Sequence, residues 1–310
     1  SITGAVIIRQ RHPFRGTQMI MRMSTLVFAL LIFSISTVDN VDARDLFVNN
    51  ATGSDNQSGL AADSQGGKHG PVRTISRGLQ VAKKGDTIHV ANNGVMYRES
   101  LSIQNGHNSG RVGKSFHIIG NGAILDGRQK ITYDQWTSVG NNVYEFKPPR
   151  SSFFILFVDN QPGIQVEVTE DTTKVPELEE LQWCLFKRKI YFKPANSQLP
   201  DSHDVTYTHA SVGITLVNCQ NVVIEDLIVQ GFQLDGINAH DNVFGAQLKD
   251  ITAQGNGRSG ISVGGASRVM IEDCQVGNNG KAQIRTEGHS HTTLKNNNLL
   301  DTDPNAPAIV

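Results

Sequence analysis

Nine side chains in the C-terminal third of the chain have the types that proton transfer and charge binding use: Asp235, Asn238, His240, Asp241, Arg258, Ser262, Lys281, Arg285 and Glu287. An imidazole or amine can take a proton, and a guanidinium can hold a carboxylate through two parallel hydrogen bonds. Two carboxylates in different surroundings can divide acid and base work. The spacing carries as much as the residue types. Asn238, Ser262 and Arg285 are separated by 24 and 23 residues, and His240, Gly264 and Glu287 by the same two intervals. Such residues come side by side only if the chain coils with that period.

The apolar residues coil with it. Ile224, Leu248, Ile271 and Leu294 stand 24, 23 and 23 apart, and Ile214, Ile237, Ile261, Ile284 and Ile309 form a second column. Apolar and polar residues alternate within 223–229, 247–253, 270–276 and 293–299, as side chains do along a strand. A period this short holds three short strands and three turns. Leucine-rich repeats have a similar period but need a Leu pattern that is absent here. The expected fold is therefore all-β, a right-handed parallel β-helix whose coils stack about 4.8 Å apart. In that fold Asp226, Asp250, Asp273 and Asn296 sit at a bend, where their oxygens are expected to accept from turn N–H groups; the role is structural rather than catalytic.

Alternation places Ile237, Ile261 and Ile284 inward. Two outward columns result: Thr215, Asn238, Ser262, Arg285, and Val217, His240, Gly264, Glu287, with Gln283 also outward. Gly264 leaves a hollow between imidazole and carboxylate, about 10 Å apart by coil spacing.

The remaining features bound the setting. Net charge is −1, so no basic field attracts nucleic acid, and no such partner is expected. The 30 glycines include Asn-Gly pairs such as Asn256-Gly257 and Asn279-Gly280, read as tight turns. Cys184, Cys219 and Cys274 are too sparse for a disulfide framework or a zinc site and read as apolar filler. Residues 1–43 read as an upstream extension followed, over 19–43, by a secretory signal. The mature protein is then expected to be a secreted, periplasmic or cell-surface monomer without stable membrane insertion. Residues 44–127 form the first coils, closed by an amphipathic capping helix within 74–86. Residues 128–203 break the period and read as an inserted β module holding Trp136 and Trp183, which are either core or sugar-stacking platforms. Coils resume over 204–310 and stop mid-coil at Val310 without a visible cap, as a fragment would.

The stretches 47–55, 70–75, 85–88 and 120–127, with the C-terminal repeats, resemble the pectate-lyase-like right-handed parallel β-helix proteins. The resemblance covers residues 45–127 and 205–310. It implies an exported, carbohydrate-active protein whose substrate groove lies on the strand face of His240, Arg285 and Glu287, with a polysaccharide as partner. The leading expectation is a uronate polysaccharide lyase. Proton abstraction at C5 needs a base and a cation, for which His240, Lys281 and Arg285 are candidates, with Asp235 or Asp241 holding calcium. Asn238, Ser262 and Arg258 would bind substrate. A glycoside hydrolase is the alternative, pairing Asp235 or Asp241 with Glu287; the third is a non-catalytic carbohydrate-binding or surface protein.

Overall fold

The computed structural model describes residues 43–300, Asn105 excepted. The expected signal segment, the residues before it and Ile309 lie outside the described residues, apart from Ala43.

The described chain winds into an all-β, right-handed parallel β-helix with three repeating faces and one α-helix. The first face is built by Asp45–Val48, Thr87–Val90, the leading halves of Phe116–Asp126, Val222–Gln230 and Phe244–Gln254, then Arg268–Glu272 and His291–Lys295. The second face uses the trailing halves of those three long strands, then Gln275–Gly277 and Asn298–Leu300. The third stacks Leu101–Gln104, Ile214–Val217, Asp235–Asp241, Ser259–Val263 and Ala282–Thr286. Every pairing within these faces is parallel. Ile214, Ile237, Ile261 and Ile284 are direct partners with no exposed surface. Each such side chain contributes roughly 1.5–3 kcal/mol by leaving water, so the column fixes the register as well as the stability.

The corners explain the polar columns differently from the sequence expectation. Asn121, Asp226, Asp250, Asp273 and Asn296 all have φ between 52 and 55°. The column is Asn or Asp because those residues tolerate the left-handed region better than others. The turn N–H groups are met from the next position of the following coil instead: Cys274 Sγ accepts from Ile251 N at 3.4 Å, and Asn297 Oδ1 accepts from Cys274 N at 2.9 Å.

At the corner between the second and third faces, positive φ falls at Gly231, Gly255 and Asn278, one residue before the expected turn pairs. Asn256 and Asn279 are buried and form a ladder inside the coil. Asn256 Oδ1 accepts from Phe232 N, and Asn256 Nδ2 donates to Asn279 Oδ1 at 3.0 Å. Asn279 Nδ2 donates to Gly277 O and to Gln283 Oε1 at 2.9 Å. Gln283, expected outward, is fully buried as the ladder's last member.

The helix, Ile75–Val81, covers the first coils with Ile75, Leu79 and the adjoining Ala82; Thr74 caps it by accepting from Arg77 N. It is shorter than the apolar pattern suggested because Asp86 Oδ2 draws Lys83 N into a turn at 2.7 Å. The period-breaking segment forms two further sheets, largely antiparallel. The boundary expected at 203 moves outward, since Val205–Thr208 pairs antiparallel with Arg128–Lys130. Trp183 is buried, its Nε1 donating to Gly163 O, and Trp136 packs on Phe146 and Phe192. Both tryptophans serve the module's core rather than a sugar platform. No described helix is long and apolar enough to cross a membrane.

Candidate functional site

On the third face Thr215, Asn238, Ser262 and Arg285 are direct partners, the first outward column. The second column departs from expectation. A bulge between Leu216 and Val217 sets Val217 against Asp241 and leaves His240, which is exposed, outside the register. Glu287 folds across Gly264: a Cβ added to Gly264 would lie 3.5 Å from Glu287 Oε1. The hollow is therefore occupied by the carboxylate, which Arg285 holds through an ion pair, Nη2 to Oε2, at 2.7 Å. On the other side of the same dipeptide, Asp241 Oδ1 accepts from Asn242 N at 2.9 Å and Ala266 N at 3.2 Å. A Cβ on Gly265 would meet that oxygen at 2.2 Å, and Gly265 has φ +60°. Only glycine fits there. Asp241 and Glu287 thus flank Gly264-Gly265.

Asp235 stands apart from this arrangement. Its carboxylate is fully enclosed and accepts from Arg258 Nε at 3.0 Å, Arg258 Nη2 at 2.5 Å, Ser259 Oγ at 2.5 Å and Asn238 Nδ2 at 2.9 Å. Those hydrogen bonds push the Arg258 pKa further up. Asp235 has no lone pair aimed at solvent for a metal, and Arg258 is tied to it. Among the described residues no three His, Cys, Asp or Glu side chains are placed to hold a metal ion. Asp235 does not fit the expected calcium. Ser262 is buried to 1% exposure, so it is closed to a ligand, whereas Lys281 is exposed at the neighbouring corner.

A cavity of about 650 Å³ opens at the upstream end of the same face. Thr215, the head of the outward column, lines it with Ser102, Arg150, His209, Ser211 and Gln233. Tyr207 Oη lies 2.9 Å from His209 Nδ1. Burial first, then the Arg150 charge, push the His209 pKa below its ordinary value. Sequence reasoning missed this place, because Arg150 belongs to the module and His209 precedes the first periodic residue. A smaller cleft, about 330 Å³, lies by the second face, where Gln254 donates to Gln230 and Gln230 to Asp126. Burial pushes the Asp126 carboxyl up, but the hydrogen bonds and charge of Arg128 outweigh it and hold the pKa below the usual range.

The family model described as right handed beta helix region matches residues 190–309. With the topology above, the described chain has the right-handed parallel β-helix fold. Among solved structures it is similar to one described as "The complex structure of XylC with xylose", with TM-score 0.53 and 14% identity over 82% of this chain. The chain spans 58% of that protein's length. It is also similar to one described as "Glycoside hydrolase", with TM-score 0.52 and 10% identity, covering 79% of this chain and 67% of that one. At these identities the likeness is one of fold. No curated protein sequence matches the chain.

Proposed function

We propose that the protein binds a polysaccharide along the third face and cleaves it by glycoside hydrolysis. The observation that carries this is the pair of carboxylates, Asp241 and Glu287, held on either side of Gly264-Gly265. Hydrolysis of a glycosidic bond uses two carboxyl groups, one protonating the leaving oxygen and one acting as nucleophile or activating water. Backbone N–H groups fix Asp241, and the Arg285 guanidinium fixes Glu287, so neither has to be ordered when substrate arrives. Glycine at both positions lets the two carboxylates lie close against the backbone, where a Cβ would crowd Asp241. His240 is exposed beside Gly264 and can meet sugar hydroxyls, whereas Lys281, before the strand Ala282–Thr286, stands at its opposite end from Glu287. The structures of similar fold, one a glycoside hydrolase and one a complex with xylose, agree with a sugar substrate. Export, resting on residues 19–43, belongs to the same proposal.

Elimination from a uronate comes second. Its favouring observation is the Arg150 and His209 pair in the upstream cavity. Against it, Arg258 and Arg285 are each engaged by a carboxylate and so are not free to hold a C5 carboxyl group.

The test is a panel of acidic and neutral polysaccharides, read for new reducing ends and for the ultraviolet absorbance of unsaturated products. Reducing ends without absorbance are expected. Glu287→Gln and Asp241→Asn should each lower their release at least a hundredfold in folded protein. Absorbing products would establish elimination, and binding without new ends would leave a carbohydrate-binding protein.

A further inference from the structure

The 650 Å³ cavity has an unbalanced charge. Arg150 from the module and His209 from the segment entering the coils stand on its wall, and no Asp or Glu lines it. Nearby carboxylates are committed elsewhere: Asp235 to Arg258, and Glu99 to Ile75 N, Ser76 N and Ser76 Oγ. The rest of the wall offers the hydroxyls of Ser102, Ser211 and Thr215 and the amide of Gln233. The volume lies within the range of small-molecule sites. A guanidinium and an imidazole facing one space without a counter-charge form a site that an anion completes, and a guanidinium matches the planar or tetrahedral oxygens of a carboxylate or sulfate.

We infer that this cavity binds the anionic group of an acidic sugar, with Arg150 and His209 holding the anion and Ser102, Ser211 and Thr215 meeting the ring hydroxyls. The inference rests on the proposed glycan groove: Thr215 is both cavity wall and first member of the outward column leading to Arg285. A chain lying on that column would set one unit in the cavity and another beside Glu287. Tyr207 fixes the imidazole through Nδ1, leaving Nε2 as the nitrogen available to a ligand. The shift of His209 agrees with the geometry, since burial and the Arg150 charge disfavour its cation until an anion is bound. The anion is a carboxylate on a uronic acid or a sulfate ester on a neutral sugar; the two share this chemistry.

Calorimetric titration of the full chain with free galacturonate, an oligogalacturonate, a sulfated dextran oligosaccharide and a neutral xylo-oligosaccharide tests this, with the His209 ring followed by NMR. Arg150→Gln should weaken binding of at least one acidic ligand tenfold or more and change neutral binding less than twofold. Lys249→Gln, a cation removed from the first face, should change neither. The His209 pKa should rise when the acidic ligand binds. Response to the galacturonate alone identifies a carboxylate site, to the sulfated ligand alone a sulfate site, and to both a general anion site. Acidic binding indifferent to Arg150 overturns the inference and leaves the glycan groove standing. Arg150-dependent binding of free galacturonate with no binding of any oligosaccharide overturns the groove and leaves the inference. Absence of binding to all of them overturns both.

Discussion

Asp235 and Arg258, 23 residues apart, form a bidentate ion pair across adjacent coils, with Nε–Oδ1 at 3.0 Å and Nη2–Oδ2 at 2.5 Å. The aspartate is fully enclosed while the arginine side chain keeps 22% of its surface. Such a pair ties coils together but gives up hydration, so its net worth is smaller than the cost of breaking it. Asp235→Ala should destabilise the protein by about 3–5 kcal/mol by leaving the Arg258 charge without its partner. The double variant with Arg258→Ala should lose less than the sum of the singles. Denaturant unfolding of the four proteins measures this, and additive losses would mean the residues act independently.

The left-handed column makes a second prediction. Asp250→Leu should cost about 1–2 kcal/mol, because a branched side chain is strained at φ 52°. Asp250→Gly should change stability by less than about 1 kcal/mol, since glycine takes that φ freely and its cost is only entropic. If the carboxylate mattered as an acceptor, both substitutions would lose stability alike in thermal unfolding.

His209 predicts a pH dependence. Its folded pKa lies below the ordinary 6.5, through burial and then the charge of Arg150. The unfolded chain therefore binds this proton more readily than the folded one. The contribution to stability is present above pH 6.5 and is lost as pH falls through the folded pKa. Unfolding free energies measured across that window should decline less in His209→Gln than in the native protein. An identical decline in both would assign the slope to other groups.

Burial pushes each of the three thiols up to about 11. Thiolate is the reactive form, so Cys184, Cys219 and Cys274 should resist an aromatic disulfide reagent at mildly alkaline pH and react fully in denaturant. Rapid labelling of one thiol in native protein would show that its coil opens.

The solenoid was legible because period and alternation are written in the same residues. Ile237, Ile261 and Ile284 mark both the repeat and the inward face, and the structure stacks them in that register. What alternation cannot carry is a local slip. The bulge after Leu216 shifts one column by a residue and removes His240 from it. Asn256 and Asn279 were misread because asparagine beside glycine suits a turn, whereas here burial selects asparagine for its ability to donate and accept within a ladder. Asp235 shows the same limit: a carboxylate at the start of an outward strand looks available until the arginine of the next coil closes over it. The upstream cavity was illegible for another reason, since its walls come from three segments with no common spacing.

The base of the inserted module shows how such a chain can acquire a second structural unit. In the later coils the second face passes to the third through residues 231–234, 255–258 and 278–281, always four positions. In the earlier coil that same corner is where the module leaves and rejoins, and its first and last strands are hydrogen-bonded neighbours, Arg128 opposite Thr208. Departure and return are thus side by side, like the two ends of a socket. Just past the base, Ala210 O and Ser211 O accept from Gln233 N and Leu234 N of the following coil, and Gly213 O accepts from Leu101 N of the preceding one. Such a socket admits units of different size and shape without disturbing the winding, and the one it holds here contributes Arg150 to a wall that the coils alone leave open.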